Sequence, residues 1–149
     1  MKNSVALLLT MVVAHTACAP RYVIDVDPAS TAEMVVLHVS TARFSLGEPS
    51  RLTYVVVFDC DTDQTMWAVS NEACATPNAI VYGATPPGWS ESQRPLPLEP
   101  GCYRIEYNFF TRGFLVKQDG SVVELSPAEV REYSGGGGGR GGSGGEGRG

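Results

Sequence analysis

The chain has few of the residues on which catalysis and nucleic-acid binding most often depend. Its 149 residues include two histidines and two lysines, and aspartate plus glutamate outnumber lysine plus arginine by 16 to 11. An acidic chain has no overall electrostatic attraction to DNA phosphates, so we expect no nucleic-acid partner. His38 is the only histidine beyond residue 17, no nucleophile motif lies near it, and no phosphate-binding glycine loop follows a strand. We therefore expect no cofactor, no catalytic residue and no enzymatic activity.

Glycine is scarce everywhere except at the end of the chain. Eleven of the 17 glycines lie in residues 135–149, which we expect to be a disordered tail. Setting aside this tail and the first 17 residues leaves about 117 residues, enough for one small domain and too few for a multidomain enzyme.

Long hydrophobic runs are also missing. The apolar run Val5–Ala14 has ten residues, whereas a membrane-spanning helix needs about 20. Lys2 precedes this run and small residues follow it, a pattern typical of a secretory signal peptide. We assign the signal peptide to residues 1–17.

The residues that end this leader resemble a known processing signal. Thr16-Ala17-Cys18 resembles the lipobox of bacterial lipoprotein precursors. The resemblance implies that Cys18 is the lipid attachment site and anchors the protein to the membrane. Because Ala19 is not acidic, it further implies the outer membrane of a Gram-negative cell. His15 stands where the family has an aliphatic residue, so a secreted or periplasmic protein cleaved by ordinary signal peptidase is the alternative.

Short strand-like segments separated by turn residues run from Arg21 to Leu125 without a helical period. We predict an all-β fold, an immunoglobulin-like or fibronectin-III-like two-sheet sandwich of about seven to eight strands, over residues 34–126. Residues 18–33 are predicted to be an anchor and linker, in which 22–26 is either a strand or an arm. Residues 127–134 are predicted to be a short helical turn or linker, with Ser126 as its cap and Glu129 at the matching position.

The middle of the chain contains a proline-rich stretch. Five prolines lie between residues 84 and 101, which predicts a long crossing loop. The stretch from Trp67 to Tyr103, with its Tyr-Gly turn and proline–glycine segments, resembles small β-sandwich domains of uncharacterised bacterial lipoproteins. That resemblance implies the fold and no particular activity.

Three cysteines follow Cys18, and in an exported protein they can form a disulfide. Cys60 and Cys74 close a loop of about 15 residues and are the favoured pair. Cys60 with Cys102 is the alternative if their strands are neighbours. We do not expect a zinc site, because no CxxC spacing is present.

Three aspartates stand at alternate positions, with the spacing of the first three ligands of a calcium-binding loop: Asp59, Asp61 and Asp63. Gln64 stands where that loop needs glycine, and Ser70 where it needs a bidentate glutamate. We expect a solvated acidic turn and no metal, with the three aspartates as weak candidates for a cation site.

Aromatic residues provide the candidate binding surface. Trp89 lies in the proline-rich loop and, if exposed near Tyr82 or Tyr107, would offer a platform for a peptide or a sugar. The alternative is that Trp89 folds back to fill the open end of the sandwich. Phe109 and Phe110 are further aromatic candidates, whereas Trp67 is expected in the core.

Together these features predict a membrane-anchored extracytoplasmic lipoprotein that acts as a non-catalytic binding or accessory module of the cell envelope. Its expected partners are the membrane, through the lipid, and an envelope protein, peptide or glycan. A hydrolase-type enzyme, secreted or periplasmic, and a structural spacer remain as alternatives.

Overall fold

The computed structural model describes residues 22–41, 52–72 and 75–135. Cys18, Cys74, the predicted signal peptide and the tail from residue 136 onward lie outside the described residues. In the described ranges the chain forms nine strands and one helix: β1 (Tyr22–Val26), β2 (Val36–Thr41), β3 (Tyr54–Asp59), β4 (Thr65–Asn71), β5 (Ala79–Val81), β6 (Trp89–Gln93), β7 (Gly101–Tyr107), β8 (Phe110–Val116), β9 (Val122–Leu125) and α1 (Pro127–Gly135).

The strands form two antiparallel sheets that pack as a sandwich. The smaller sheet has the order β1-β2-β5, and the larger has the order β6-β4-β3-β7-β8-β9. The chain changes from one sheet to the other after β2, after β4 and after β5, so both sheets combine strands from separate parts of the sequence, as in immunoglobulin-like folds. The hydroxyl of Tyr103, near the start of β7, lies 2.9 Å from both the backbone nitrogen and the carbonyl oxygen of Glu99. This is the tyrosine corner of such sandwiches, and the predicted fold class is confirmed.

Two segments differ from the sequence prediction. Residues 22–26, assigned to the linker 18–33, form strand β1, whose Ile24 is completely buried. The sandwich domain therefore already includes Tyr22. Residues 89–93, assigned to the crossing loop, form β6 and pair with β4. Because β6 is an edge strand, prolines on either side of it cost no sheet hydrogen bonds.

The main core lies between the two sheets. Side chains of the smaller sheet, such as Ile24 and Leu37, meet Trp67 and Phe114 of the larger sheet, all completely buried. The alternation along β7 predicts inward-facing aromatic and aliphatic residues, and the structure confirms it: Tyr103, Ile105 and Tyr107 are buried. Burying large apolar side chains from both sheets supplies the main driving force for this fold.

A second, smaller cluster covers the outer face of the larger sheet. Helix α1 begins with the predicted cap, since the Ser126 backbone amide donates to Glu129 Oε2 at 2.7 Å and the Glu129 amide donates to Ser126 Oγ at 3.3 Å. Val130 is the buried residue of the helix and packs above Gly113 of β8. A Cβ atom at Gly113 would collide with the Val130 side chain, so the helix needs glycine to approach this closely.

The disulfide in this cluster joins Cys60 to Cys102, with an S–S distance of 2.06 Å and a Cα–Cα distance of 5.4 Å. The favoured pairing of Cys60 with Cys74 is therefore wrong, and the alternative is confirmed. The physical reason is strand order: β3 and β7 are antiparallel neighbours, with Asp59 opposite Tyr103, which places the two cysteines side by side. Cys102 shares a sheet face with Arg104, as its position predicts, but α1 buries that end of the face.

Contacts between the two sheets identify the two ends of the sandwich, which we call proximal and distal. At the proximal end, the Ile24 amide of β1 donates to the Tyr107 hydroxyl at 3.2 Å, so the start of β1 lies beside the β7–β8 turn. At the distal end, the β1–β2 connection meets the β8–β9 turn, because Thr31 bridges to Ser121 and the Ala32 amide donates to the Gly120 carbonyl. The β3–β4 turn also lies at the distal end.

Candidate functional site

The β7–β8 turn presents an exposed aromatic ring at the proximal end. Tyr107 pairs with Phe110, so the reversal consists of Asn108 and Phe109 alone. Both have positive φ angles, 39° and 73° respectively. Two-residue hairpin turns require such angles, and glycine is the preferred second residue because it has no Cβ. Here that second position is Phe109, whose side chain is 98 % exposed.

Hydrogen bonds from the start of β3 hold this turn in place. The Asn108 carbonyl oxygen Oδ1 accepts from the Thr53 amide at 2.9 Å and from the Thr53 hydroxyl at 2.7 Å. The Phe109 amide donates to the Tyr54 hydroxyl at 3.2 Å. Behind the turn, the rings of Tyr107 and Phe110 lie 5.9 Å apart. The backbone under the exposed ring is therefore fixed by neighbouring side chains.

The predicted surface of Trp89 and Tyr82 does not form. Trp89 is 7 % exposed and packs in the main core, so the alternative in which it folds back is the correct one. The Tyr82 hydroxyl lies 2.7 Å from the Leu96 carbonyl and 3.0 Å from the Met66 carbonyl, and its ring meets Trp67 edge-on. Burial raises the pKa of Tyr82 to about 12. Both side chains thus hold the proline-rich segment against the sandwich, Trp89 by packing in the core and Tyr82 through its hydroxyl.

Of the three aspartates at the end of β3 and in the turn after it, Asp59 and Asp63 accept hydrogen bonds that stabilise this region. Asp59 Oδ1 accepts hydrogen bonds from the Asp61 amide, the Thr62 amide and the Thr62 hydroxyl, at 2.8 to 2.9 Å. Asp63 has a positive φ of 55° and accepts from Arg104 Nη1 at 2.9 Å. The carboxylates of Asp59 and Asp63 are therefore committed to different partners. Over the ranges 22–41, 52–72 and 75–135, no three His, Cys, Asp or Glu side chains are grouped to hold a metal ion.

His38 is paired with an aspartate at the distal end. Its Nε2 lies 2.7 Å from Asp27 Oδ2, and the imidazole is exposed. The other carboxylate oxygen of Asp27 accepts from the Ala29 amide at 2.7 Å. These hydrogen bonds, that from Ala29 first, hold the pKa of Asp27 below its ordinary value. This pair connects β2 to the turn after β1, consistent with a structural histidine.

Of the aromatic candidates, the structure leaves Phe109 at the surface and places Trp89 inside. The signal that could have distinguished them is the tight turn, since Asn108-Phe109 occupies the place where hairpins usually have Asn-Gly. In the described part of the chain, no helix has the length and apolar character needed to cross a membrane. No protein-family model matches the chain, and no curated protein or solved structure matches it significantly.

Proposed function

We propose that the protein is a lipoprotein of the bacterial cell envelope, anchored through Cys18, that acts as a non-catalytic binding or accessory module outside the cytoplasm. The observation that carries this proposal is the Cys60–Cys102 disulfide. Disulfides form and persist in oxidising compartments and are rare in the cytoplasm. The apolar leader before Cys18 supplies the matching export signal.

The position of β1 supports an anchor at Cys18. The sandwich already includes Tyr22, four residues after that cysteine. At most about 14 Å of extended chain separates the two residues. A lipid on Cys18 would therefore hold the folded domain directly at the membrane. Because Ala19 is not acidic, we propose the outer membrane as its location.

The polar side chains of the types that catalytic sites use have roles within the fold. Asp59 stabilises its own turn, and His38 pairs with Asp27. The proximal turn instead offers an exposed aromatic side chain on a fixed backbone. A rigid, exposed aromatic is a typical anchor for binding, which favours a binding or accessory role.

The anchor is tested by acyl labelling of the full chain in Gram-negative cells, comparing Cys18→Ala with wild type. We expect wild type to incorporate labelled fatty acid and to fractionate with membranes, and the variant to lose both properties. Globomycin should cause unprocessed wild-type precursor to accumulate. Cys74→Ala is the matched control, because it removes a cysteine outside both the lipobox and the disulfide and should label normally. Acyl label retained on Cys18→Ala would refute the proposal.

A further inference from the structure

We propose that Phe109 contacts the lipid bilayer and orients the proximal end of the sandwich towards the membrane. The ligand is the boundary between lipid headgroups and acyl chains, into which exposed aromatic and aliphatic side chains insert. This inference rests on the proposed lipid anchor at Cys18. The anchor supplies attachment, and Phe109 determines which face of the domain meets the membrane.

The first argument is the strain at Phe109. Its φ of 73° lies in the left-handed region, which side chains with a Cβ adopt at a cost. Within the described part of the chain the ring gains no packing, because Phe109 is 98 % exposed. Glycine would form the same turn without strain. A large apolar ring at such a position therefore has its partner outside the described part of the chain.

The second argument is the length and direction of the connection to Cys18. β1 runs from the proximal end, where Tyr22 lies, towards the distal end, where Asp27 lies. The chain that leads back to Cys18 thus starts from the same end of the sandwich as the β7–β8 turn. With at most about 14 Å of extended chain between Cys18 and Tyr22, this end stays close to the bilayer.

The third argument is the distribution of charge. One of the aspartates at the distal end, Asp63, is paired with Arg104. Five aspartates lie in or beside the turns of this end: Asp27, Asp59, Asp61, Asp63 and Asp119. A membrane surface containing anionic lipid repels carboxylates. The favourable orientation therefore directs the distal end away from the lipid and brings the proximal end, with Phe109, against it.

The test uses Phe109→Trp in the full, acylated chain, reconstituted into vesicles of phosphatidylethanolamine and phosphatidylglycerol. Brominated acyl chains quench an indole that reaches them. We expect the emission added by Trp at position 109 to be largely lost in brominated vesicles. The native Trp67 and Trp89 are buried and give the baseline measured in wild type.

Met34→Trp is the matched control, because Met34 is an exposed apolar residue in a turn at the distal end. We expect its added emission to survive in brominated vesicles. Equal quenching at both positions, or none at position 109 in an acylated chain, would overturn the proposed orientation. The latter result would leave the anchor intact.

Two further measurements distinguish failure of the lipid anchor from failure of the proposed orientation. Mass spectrometry and vesicle flotation report the anchor itself, and a chain without acyl groups that fails to float would overturn both proposals. Hydrogen exchange of the β7–β8 turn amides provides a readout that needs no added tryptophan. We expect vesicles to slow this exchange in wild type and to leave it unchanged in Phe109→Gly. Identical protection in the two proteins would contradict a role for the ring.

Discussion

The two ends of the sandwich differ in their cross-links and in the side chains that they expose. The distal end holds the Cys60–Cys102 disulfide and turns in which aspartates accept local hydrogen bonds. The proximal end holds a two-residue turn in which Phe109 adopts a left-handed conformation and exposes its ring. The disulfide thus cross-links one end, whereas the other end exposes an aromatic ring on a left-handed backbone.

The distal end thus contains the covalent cross-link of the fold, and the proximal β7–β8 turn exposes a side chain that makes no contribution to the core. A strained residue persists only where the surrounding structure holds it. Thr53 and Tyr54 bond the proximal turn, and the distal cross-link contributes to the stability that tolerates the strain. Substitutions at the distal end should therefore destabilise the domain, and relief of strain at the proximal end should stabilise it.

Removing the disulfide should have the largest effect. The bond spans a sequence separation of 42 residues. For a loop of that size, loss of the cross-link lowers the free energy of unfolding by about 4 kcal/mol in the chain-entropy model. Urea unfolding of Cys60→Ala/Cys102→Ala against wild type measures it. Cys74→Ala serves as the control, and a double variant as stable as that control would contradict the prediction.

Tyr103→Phe tests the tyrosine corner near the start of β7. The variant keeps the buried ring and loses the hydroxyl that bonds the backbone of Glu99. We expect a loss of about 1–2 kcal/mol in unfolding free energy, because a partly buried amide is left without its acceptor. Tyr133→Phe, on the exposed side of α1, should change stability by less than about 0.5 kcal/mol. Equal effects in the two variants would show that the corner contributes nothing.

Phe109→Gly should stabilise the domain. Glycine adopts a φ of 73° without a steric penalty, so we expect a gain of about 1 kcal/mol in unfolding free energy. Phe109→Ala separates the two causes, since alanine removes the ring but keeps the Cβ. If alanine stabilises the domain as much as glycine does, the exposed ring rather than the backbone conformation carries the cost.

The smallest effect concerns acid stability at the distal end. Hydrogen bonds from the hydroxyl and the backbone amide of Ser121 hold the pKa of Asp119 below its ordinary value of 3.8. A depressed pKa in the folded state stabilises the fold above the unfolded value, and the contribution is lost as pH falls through the folded value. Asp119→Asn should therefore be slightly less stable than wild type near pH 6. Thermal unfolding should show this difference shrinking as the pH falls below 3.8 and the carboxylate becomes protonated, whereas a constant difference would exclude titration of Asp119 as its source.

Local patterns were sufficient to predict several parts of this fold. Alternation predicted the buried side of β7, and the spacing of Ser126 and Glu129 predicted the cap of α1. Both depend on residues close together in the chain, where periodicity and capping rules apply.

What depended on distant pairing was left among alternatives. Cys60 meets Cys102 because β3 and β7 are neighbours, and Trp89 is buried because an edge strand forms between prolines. The importance of Phe109 lies in a backbone angle that no residue type reveals by itself. Whether these residues are paired, buried or exposed depends on the order of strands in the sheet and on the tightness of one turn.

The disulfide has a further consequence for how an exported chain would mature. Cys74 lies between Cys60 and Cys102 in the sequence, so in an exported chain it would enter the oxidising compartment before Cys102. The first bond within reach of Cys60 is then the one to Cys74. Converting it to the observed bond requires attack by the Cys102 thiolate and release of the Cys74 thiol. Correct folding of such a chain would depend on thiol–disulfide exchange as well as on an oxidant.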